Sequence, residues 1–439
     1  MFSILTNRTY RQLFLAQVIS LVGTGLGTVA LALLAYDLAG ADAGAVLGTA
    51  LAIKMVAYVT VAPVAGAFAD LVPRRTMLVV LDLLRAMVAV ALPFVTEIWQ
   101  VYGLIFLLQS CSAAFTPLFQ ATIPDVLPDE GDYTRALSLS RLAYDLENIA
   151  SPLLAGLLLS LVEFHALFVG TALGFVVSAL FVLSVSLTAV RAGVRRSIHE
   201  RTTRGLRIYL ATPRLRGMLA VNLAVAAAGS LVIVNTVVFV REVFGLSGQD
   251  TALALAAFGG GSMAAALLLP RVLDHVSDRR MFLSGGLLLT AGAGLASMAG
   301  SFPVLLTIWF LLGAGYSMAV TPSGRVLRRS AHAEDRPALF AAQFALSHLC
   351  WLLCYPLAGW SGAAFGLSSS ALLLALVAAA GTLAGFLLWP AGDREVLEHR
   401  HPDLEPDHPH LETGERISAH RHAHSYVIDD LHFMWPHGR

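Results

Sequence analysis

Long apolar runs alternate with short polar breaks along most of the chain. A run of ~20 apolar residues is what a helix needs to cross a bilayer. Twelve such runs occur, near 12–36, 43–69, 76–95, 100–119, 136–161, 165–189, 217–240, 251–273, 281–300, 303–323, 338–364 and 367–389. They predict an all-α membrane protein with twelve transmembrane helices. Most of the polar breaks are short, but residues 190–216 and 391–439 are not.

Composition agrees with this picture. The 439 residues are 57% apolar and 13% charged, whereas soluble domains carry about 25% charged residues. The net charge of zero gives no support to a nucleic-acid partner. Cys111, Cys350 and Cys354 all fall inside apolar runs, and an odd, sparse set reads as packing rather than as a disulfide framework. The opening "MFSILTNRTYRQLF" precedes a long run with no A-x-A-like site after it, so the first helix is expected to be retained.

Arginine orients the helices. Arg8, Arg11, Arg74, Arg75, Arg135 and Arg141 fall in alternate breaks or beside them, as do Arg271, Arg279, Arg280, Arg325, Arg328, Arg329 and Arg336. Eight more lie within 190–216, while the opposite breaks hold Arg241 alone. The positive-inside rule then places both termini and the central segment in the cytoplasm.

The chain also repeats itself. "TYRQLFLAQ" at 9–17 echoes "TPRLRGMLAVN" at 212–222, and Asp70 with Arg74-Arg75 echoes Asp274 with Arg279-Arg280. "TPLFQ" at 116–120 echoes "TPSGR" at 321–325, and "SPLLAG" at 151–156 echoes "YPLAG" at 355–359. The offsets are all ~204 residues and the order is kept, which is the mark of a transporter built from parallel repeats. The expected division is an N-terminal six-helix bundle (1–189), a cytoplasmic linker (190–216), a C-terminal six-helix bundle (217–390) and a cytoplasmic tail (391–439).

With these features in view, residues 8–390 resemble the major facilitator superfamily. The stretch Gly66 to Leu78 looks like that family's signature between helices two and three, with Gly66, Asp70 and the basic pair Arg74-Arg75; Leu71 and Pro73 depart from it. "LDLLRA" (81–86), "AAFTPLFQATIPDVLPDE" (113–130) and "RALSLSRLAYDLENIASPLLAG" (135–156) are similar to the exporter branch that includes macrolide-efflux proteins and the enterobactin exporter. The resemblance implies a latch on the outward-open state, formed by Gly66, Asp70, Arg74, Arg75, Asp82 and Arg85. It implies a helix-five motif at Pro152 and Gly156, with Ser151 in place of the usual Gly. It also implies that helix two packs near helix eleven. The helix-four Arg of proton-coupled antiporters is Phe106 here, so the usual proton residues are not all present.

Ionisable groups inside a bilayer are costly and mark transport paths. Lys54, the one lysine among 29 basic residues, sits about ten residues into the second run, near mid-membrane. A cation there needs a wet cavity or an acidic partner, and protons are the candidate coupling ion. Asp145 and Glu147 are the partner candidates; Glu147 is deeper, and Asp145 can instead pair with Arg141 at i,i+4. His348 is the fourth candidate, about ten residues into the eleventh run and expected across the interface from Lys54, although a hydrogen-bonded core role also fits it. Cys350, Cys354 and His348 make a weak metal set, because the ring lies off the face the two thiols share.

The tail differs from the rest. Nine of the fourteen histidines lie in it, among ten carboxylates. His399, His401, His408, His410, His420, His422 and His424 are the candidate ligands, since imidazole suits nickel, copper and zinc. Some nickel-resistance exporters end in a tail of similar composition. "YVIDDLHFMWP" (426–436) is apolar enough to pack.

The expected function is a secondary active exporter of a small organic molecule in the bacterial inner membrane. It would work as a monomer in lipid, by alternating access, with no required cofactor. A divalent metal exporter with a metal-collecting tail is the alternative, and a transporter-like metal sensor is the alternative of another class. No nucleophile–base set or phosphate loop points to an enzyme.

Overall fold

The computed structural model describes residues 2–39, 43–68, 72–187, 198–393, 396–401, 404–405, 408–418 and 420–436. The first six apolar runs become α1 (Arg8–Ala39), α2 (Ala43–Phe68), α3 (Arg74–Ala91), α4 (Ile98–Val126), α5 (Glu130–Leu159) and α6 (His165–Leu183). After an extra helix, α7 (Ile198–Ala211), come α8 (Pro213–Val238), α9 (Gly248–Val272), α10 (Asp278–Ala296) and α11 (Phe302–Val320). A short α12 (Ser323–Arg328) precedes α13 (Arg336–Phe365) and α14 (Leu367–Leu388). Among the described residues nine helices are long and apolar enough to cross a membrane, and a tenth apolar stretch runs over Ala52–Ala67 of α2. Of the helices outside this set, α5 and α10 carry several charged residues and α7 is short, at 14 residues.

The two halves pack alike. α1 lies against α6 and α5, and α8 lies against α14 and α13. α4 lies between α2 and α3, as α11 lies between α9 and α10. Between the halves α2 meets α13 and α5 meets α9, two contacts that exchange equivalent helices. This is the two-fold arrangement that the ~204-residue echo requires. Large side chains fill each half, among them Tyr10, Tyr133 and Phe168 in the first and Trp309, Phe282 and Trp389 in the second.

Two segments are more structured than their sequence implied. Within the expected linker, α7 packs against α13 and α2. Its Arg204 bonds Asp335 at 2.7 Å, and its Tyr209 hydroxyl donates to Gln343. The charged composition of 190–216 hid this, because the apolar positions Leu206, Ile208 and Tyr209 are few. The tail forms a three-stranded antiparallel sheet in the order β1 (Val396–Arg400), β3 (Arg421–Ser425), β2 (Glu415–Ser418). Beyond it Tyr426 and Ile428 are buried with the core of the second half.

Candidate functional site

Lys54 lies eleven residues into α2, about 16 Å along it at ~1.5 Å per residue. Its ammonium stands 5.5 Å from the centre of the Tyr58 ring, one turn on. Tyr58 ties the two halves together: its hydroxyl donates to Gln109 Oε1 of α4 at 3.0 Å, and its ring meets His348 of α13 edge-on at 4.7 Å. His348 is also held within α13 by a 2.7 Å bond from Nδ1 to the Phe344 carbonyl. Lys54 acts electrostatically on both Glu147 and His348. Among the described residues neither Lys54 nor Glu147 closes a direct ion pair, and both positions are half-buried.

Glu147 reaches this place because α1 makes room for it. A Cβ at Gly25 would collide with Ser151 and fall 2.9 Å from Glu147 Oε1. Sequence reasoning missed Gly25, which is one of several glycines in α1 and carries no motif. Asp145, two residues earlier, does something else. It pairs with Arg141 one turn back, and the Arg141 guanidinium also donates to Ser262 of α9 at 3.1 Å. Arg141 further lies 4.7 Å from the Tyr316 ring of α11, so the pair fastens α5 to the second half. Of the two acidic candidates, Glu147 lies against Gly25 of α1 within electrostatic reach of Lys54, and Asp145 serves Arg141. Ser140 donates to Gln17 at 3.0 Å, adding a polar bond between α5 and α1.

At the arginine-rich ends the halves are clamped. Asp125, at the end of α4, receives Arg74 of α3 at 2.5 Å and Arg336 of α13 at 2.7 Å. Arg325 of α12 pairs with Glu130 of α5 at 2.6 Å, and Arg328 donates to the Pro128 carbonyl. Gly66 allows the close approach of α2 to α13, since a Cβ there would sit 2.9 Å from that of Ala341. Arg75 is half-buried at the start of α3, and Asp70 lies outside the described residues. Asp82 and Arg85 do pair as their spacing predicts, but inside the first half. Ser178 of α6 donates to Asp82, and the rings of Phe115 and Phe175 flank Arg85. They brace α3 against α4 and α6 rather than spanning the halves. Gly156 meets no described atom within 4 Å, and Pro152 lies within α5. Asp125 and Arg336 escaped the sequence because they are 211 residues apart and in no shared motif.

In the tail, the nitrogens of His399, His401, His410 and His432 come within 4.8 Å of one another, as do those of His399, His410, His422 and His424. Burial, reinforced by the neighbouring rings, holds His399 and His401 down at about 4 and His410 at about 3. These rings are neutral at pH 7, as metal ligands must be. Two expected ligands stand aside: His408 Nδ1 accepts from the His410 backbone at 3.2 Å, and His420 is in neither set. His432, absent from the expected set, is present. The thiols of Cys350 and Cys354 are free and buried in the second half.

The family model for the Major Facilitator Superfamily matches residues 13–252 and again 218–423. The chain belongs to the major facilitator superfamily. The two matches overlap over residues 218–252. Among curated proteins, the superfamily's uncharacterized MFS-type transporter YvqJ of Bacillus subtilis (strain 168) is 23% identical over 82% of this chain and 87% of its own. The uncharacterized MFS-type transporter YfiS of the same organism is 25% identical over 60% of this chain, which spans 65% of the length of YfiS. Among solved structures the human organic anion transporter MFSD10 (TETRAN) superposes with a TM-score of 0.75 at 14% identity, covering 87% of this chain and 99% of that one. A bacterial homologue of the iron transporter ferroportin, outward-facing, gives 0.71 at 16% identity, covering 87% and 98%. FucP in its outward conformation gives 0.70 at 12% identity with the same coverage. At these identities the superpositions establish the fold: a multi-pass membrane protein of the superfamily, whose members are typically carriers of small molecules rather than enzymes.

Proposed function

We propose that the protein is a secondary active exporter of a small organic molecule, working by alternating access in a bacterial inner membrane with its arginine-rich ends in the cytoplasm. The observation that carries this reading is the placement of Lys54 and Glu147. Lys54 lies by Tyr58 and His348 where α2 meets α13, Glu147 lies by Gly25 of α1 within electrostatic reach of Lys54, and neither is ion-paired among the described residues. Unpaired ionisable groups inside a bilayer are expensive, and a changing partner justifies them. A proton or an acidic cargo group can complete the pair in one state and leave it in the other, which supplies the differential interaction that a switch requires. The clamp at Asp125 and Glu130 closes the cytoplasmic ends, so the conformation described is read as outward-open. Export fits the likeness of residues 113–130 and 135–156 to the macrolide-efflux and enterobactin-exporter branch.

A metal cargo is the second reading, because six imidazoles gather in the tail. One comparison separates the two. Cells with and without the protein are tested for resistance and accumulation across an organic panel of drugs and siderophores and a divalent-metal panel, beside a form ending at residue 390. Organic export that survives truncation, without a metal phenotype, supports the first reading. A metal phenotype lost on truncation replaces it with the second.

A further inference from the structure

The tail histidines come from separate pieces of backbone. His399 is in β1 and His401 just follows it; His422 and His424 are in β3. Residues two apart on a strand point to one face, so each pair is aimed together. The register sets His399 directly opposite His422. His410 comes from the single helical turn Pro409–Glu412, and His432 from the turn that Asp429 opens.

The hydrogen bonds fix which nitrogen of each ring faces inward. Nδ1 of His399 bonds the Leu397 carbonyl at 3.0 Å, that of His422 the Thr413 carbonyl at 3.1 Å, and that of His424 the Ser425 carbonyl at 2.8 Å. Nδ1 of His432 bonds Asp429 Oδ1 at 2.8 Å. A carbonyl or carboxylate can only accept, so Nδ1 carries the hydrogen in all four rings. In a neutral imidazole Nε2 is then a bare lone pair. His432 Nε2 stands 3.0 Å from His399 Nε2. His410 Nε2 stands 3.1 Å from His401 Nε2. Nε2 of His422 and of His424 is buried with no partner. Nor does water reach these rings freely, since His422, His432 and His401 are 0%, 3% and 8% exposed.

The ring nitrogens converge with two of them, Nε2 of His422 and of His424, unsatisfied, and a cation among the rings would satisfy both. Zinc–imidazole bonds of about 2.0–2.1 Å set tetrahedral nitrogens about 3.3–3.4 Å apart; two pairs here stand at 3.0 and 3.1 Å, and the whole set lies within 4.8 Å. Asp429 behind His432 is the carboxylate that commonly orients a ligating imidazole. An all-nitrogen set of this kind suits zinc, nickel, cobalt or copper and not magnesium or calcium, which take oxygen.

We propose that the tail is a folded metal-binding module that holds one divalent transition-metal ion among His399, His401, His410 and His432, with His422 and His424 closing the other side of the cage. The ion would stitch β1, β3, the helical turn and the Asp429 turn together. It would also tighten the tail on the transporter body, because the same turn bonds His332 through Asp429 at 3.4 Å and Arg204 through Asp430 at 2.7 Å. The site is resident and does not depend on which cargo crosses the membrane.

The test uses the purified full chain in detergent, stripped with chelator and titrated with cobalt(II) or zinc(II). The expected result is one ion per chain, with ligand-field bands of nitrogen-bound cobalt. His399→Ala with His432→Ala loses the ion, Asp429→Asn weakens it ~10–100-fold, and His408→Ala with His420→Ala leaves it unchanged. Size-exclusion profiles confirm that the variants remain folded. Lys54→Ala retains the ion while export is lost, which separates this site from the transport reading. No tight ion in the native chain, or binding indifferent to His399 and His432, overturns the proposal.

Discussion

Asp125 and Arg336 meet at 2.7 Å across the boundary between the halves, one from the end of α4 and one from the start of α13. Arg74 approaches the other carboxylate oxygen, so a single side chain is shared by three helices. An exposed pair alone contributes ~0.2–1 kcal/mol, and a shared carboxylate more. Asp125→Asn is expected to cost the closed arrangement about 1–2 kcal/mol, a ~5–30-fold shift in population. Spin labels at the ends of α4 and α13 would report it as a longer distance component. An unchanged distribution would mean that the clamp does not set the equilibrium.

Gly66→Val tests the closure sterically. The new side chain would press on Ala341 and Ala338, so α2 and α13 could not close as they do here. Transport is expected to fall to background, with labels near residue 341 reactive from the arginine-rich side. Gly156→Ala, where no described atom lies within 4 Å, is expected to keep wild-type transport.

Arg141→Ala leaves the Asp145 carboxylate buried without its partner. Removing one member of a buried pair costs about 3–5 kcal/mol, more than removing both. Thermal unfolding in detergent should therefore rank Arg141→Ala below the double variant Arg141→Ala with Asp145→Ala. Equal midpoints would contradict the pairing.

Tail docking has a pH window. The hydrogen bond to Asp429 raises His332 from its ordinary 6.5, so its contribution is fully present below that value and lost as pH climbs through the docked one. Burial opposes the Asp429 charge, but its bonds to His332 and His432 outweigh that and lower it from 3.8, so its contribution is lost only as pH falls well below that value. Five tail histidines lowered by burial act the other way below 6.5, so the test is a difference: with chelator present, the protease protection that the wild type has over His332→Asn should be greater near pH ~6 than near pH ~8.5.

The helices were legible because twelve apolar runs have one stable solution in a bilayer, and the bounds of α2 and α14 agree with the sequence to within a residue or two. Lys54 and Glu147 were legible because charge in an apolar run is conspicuous. What each charge faces was not. Asp145 turned to Arg141 by local spacing, while Glu147 depended on Gly25 of another helix. The cage of imidazoles was legible only in composition. His432 entered it, and His408 and His420 did not, through a strand register and two turns that no local periodicity encodes.

The central claim is that Lys54 and Glu147 drive the transport cycle. The most direct measurement is accumulation of an exported panel compound in cells making wild type, Lys54→Ala or Glu147→Gln at matched membrane levels. The account predicts low accumulation for the wild type and accumulation equal to protein-free cells for both variants. Wild-type export by either well-folded variant would contradict it.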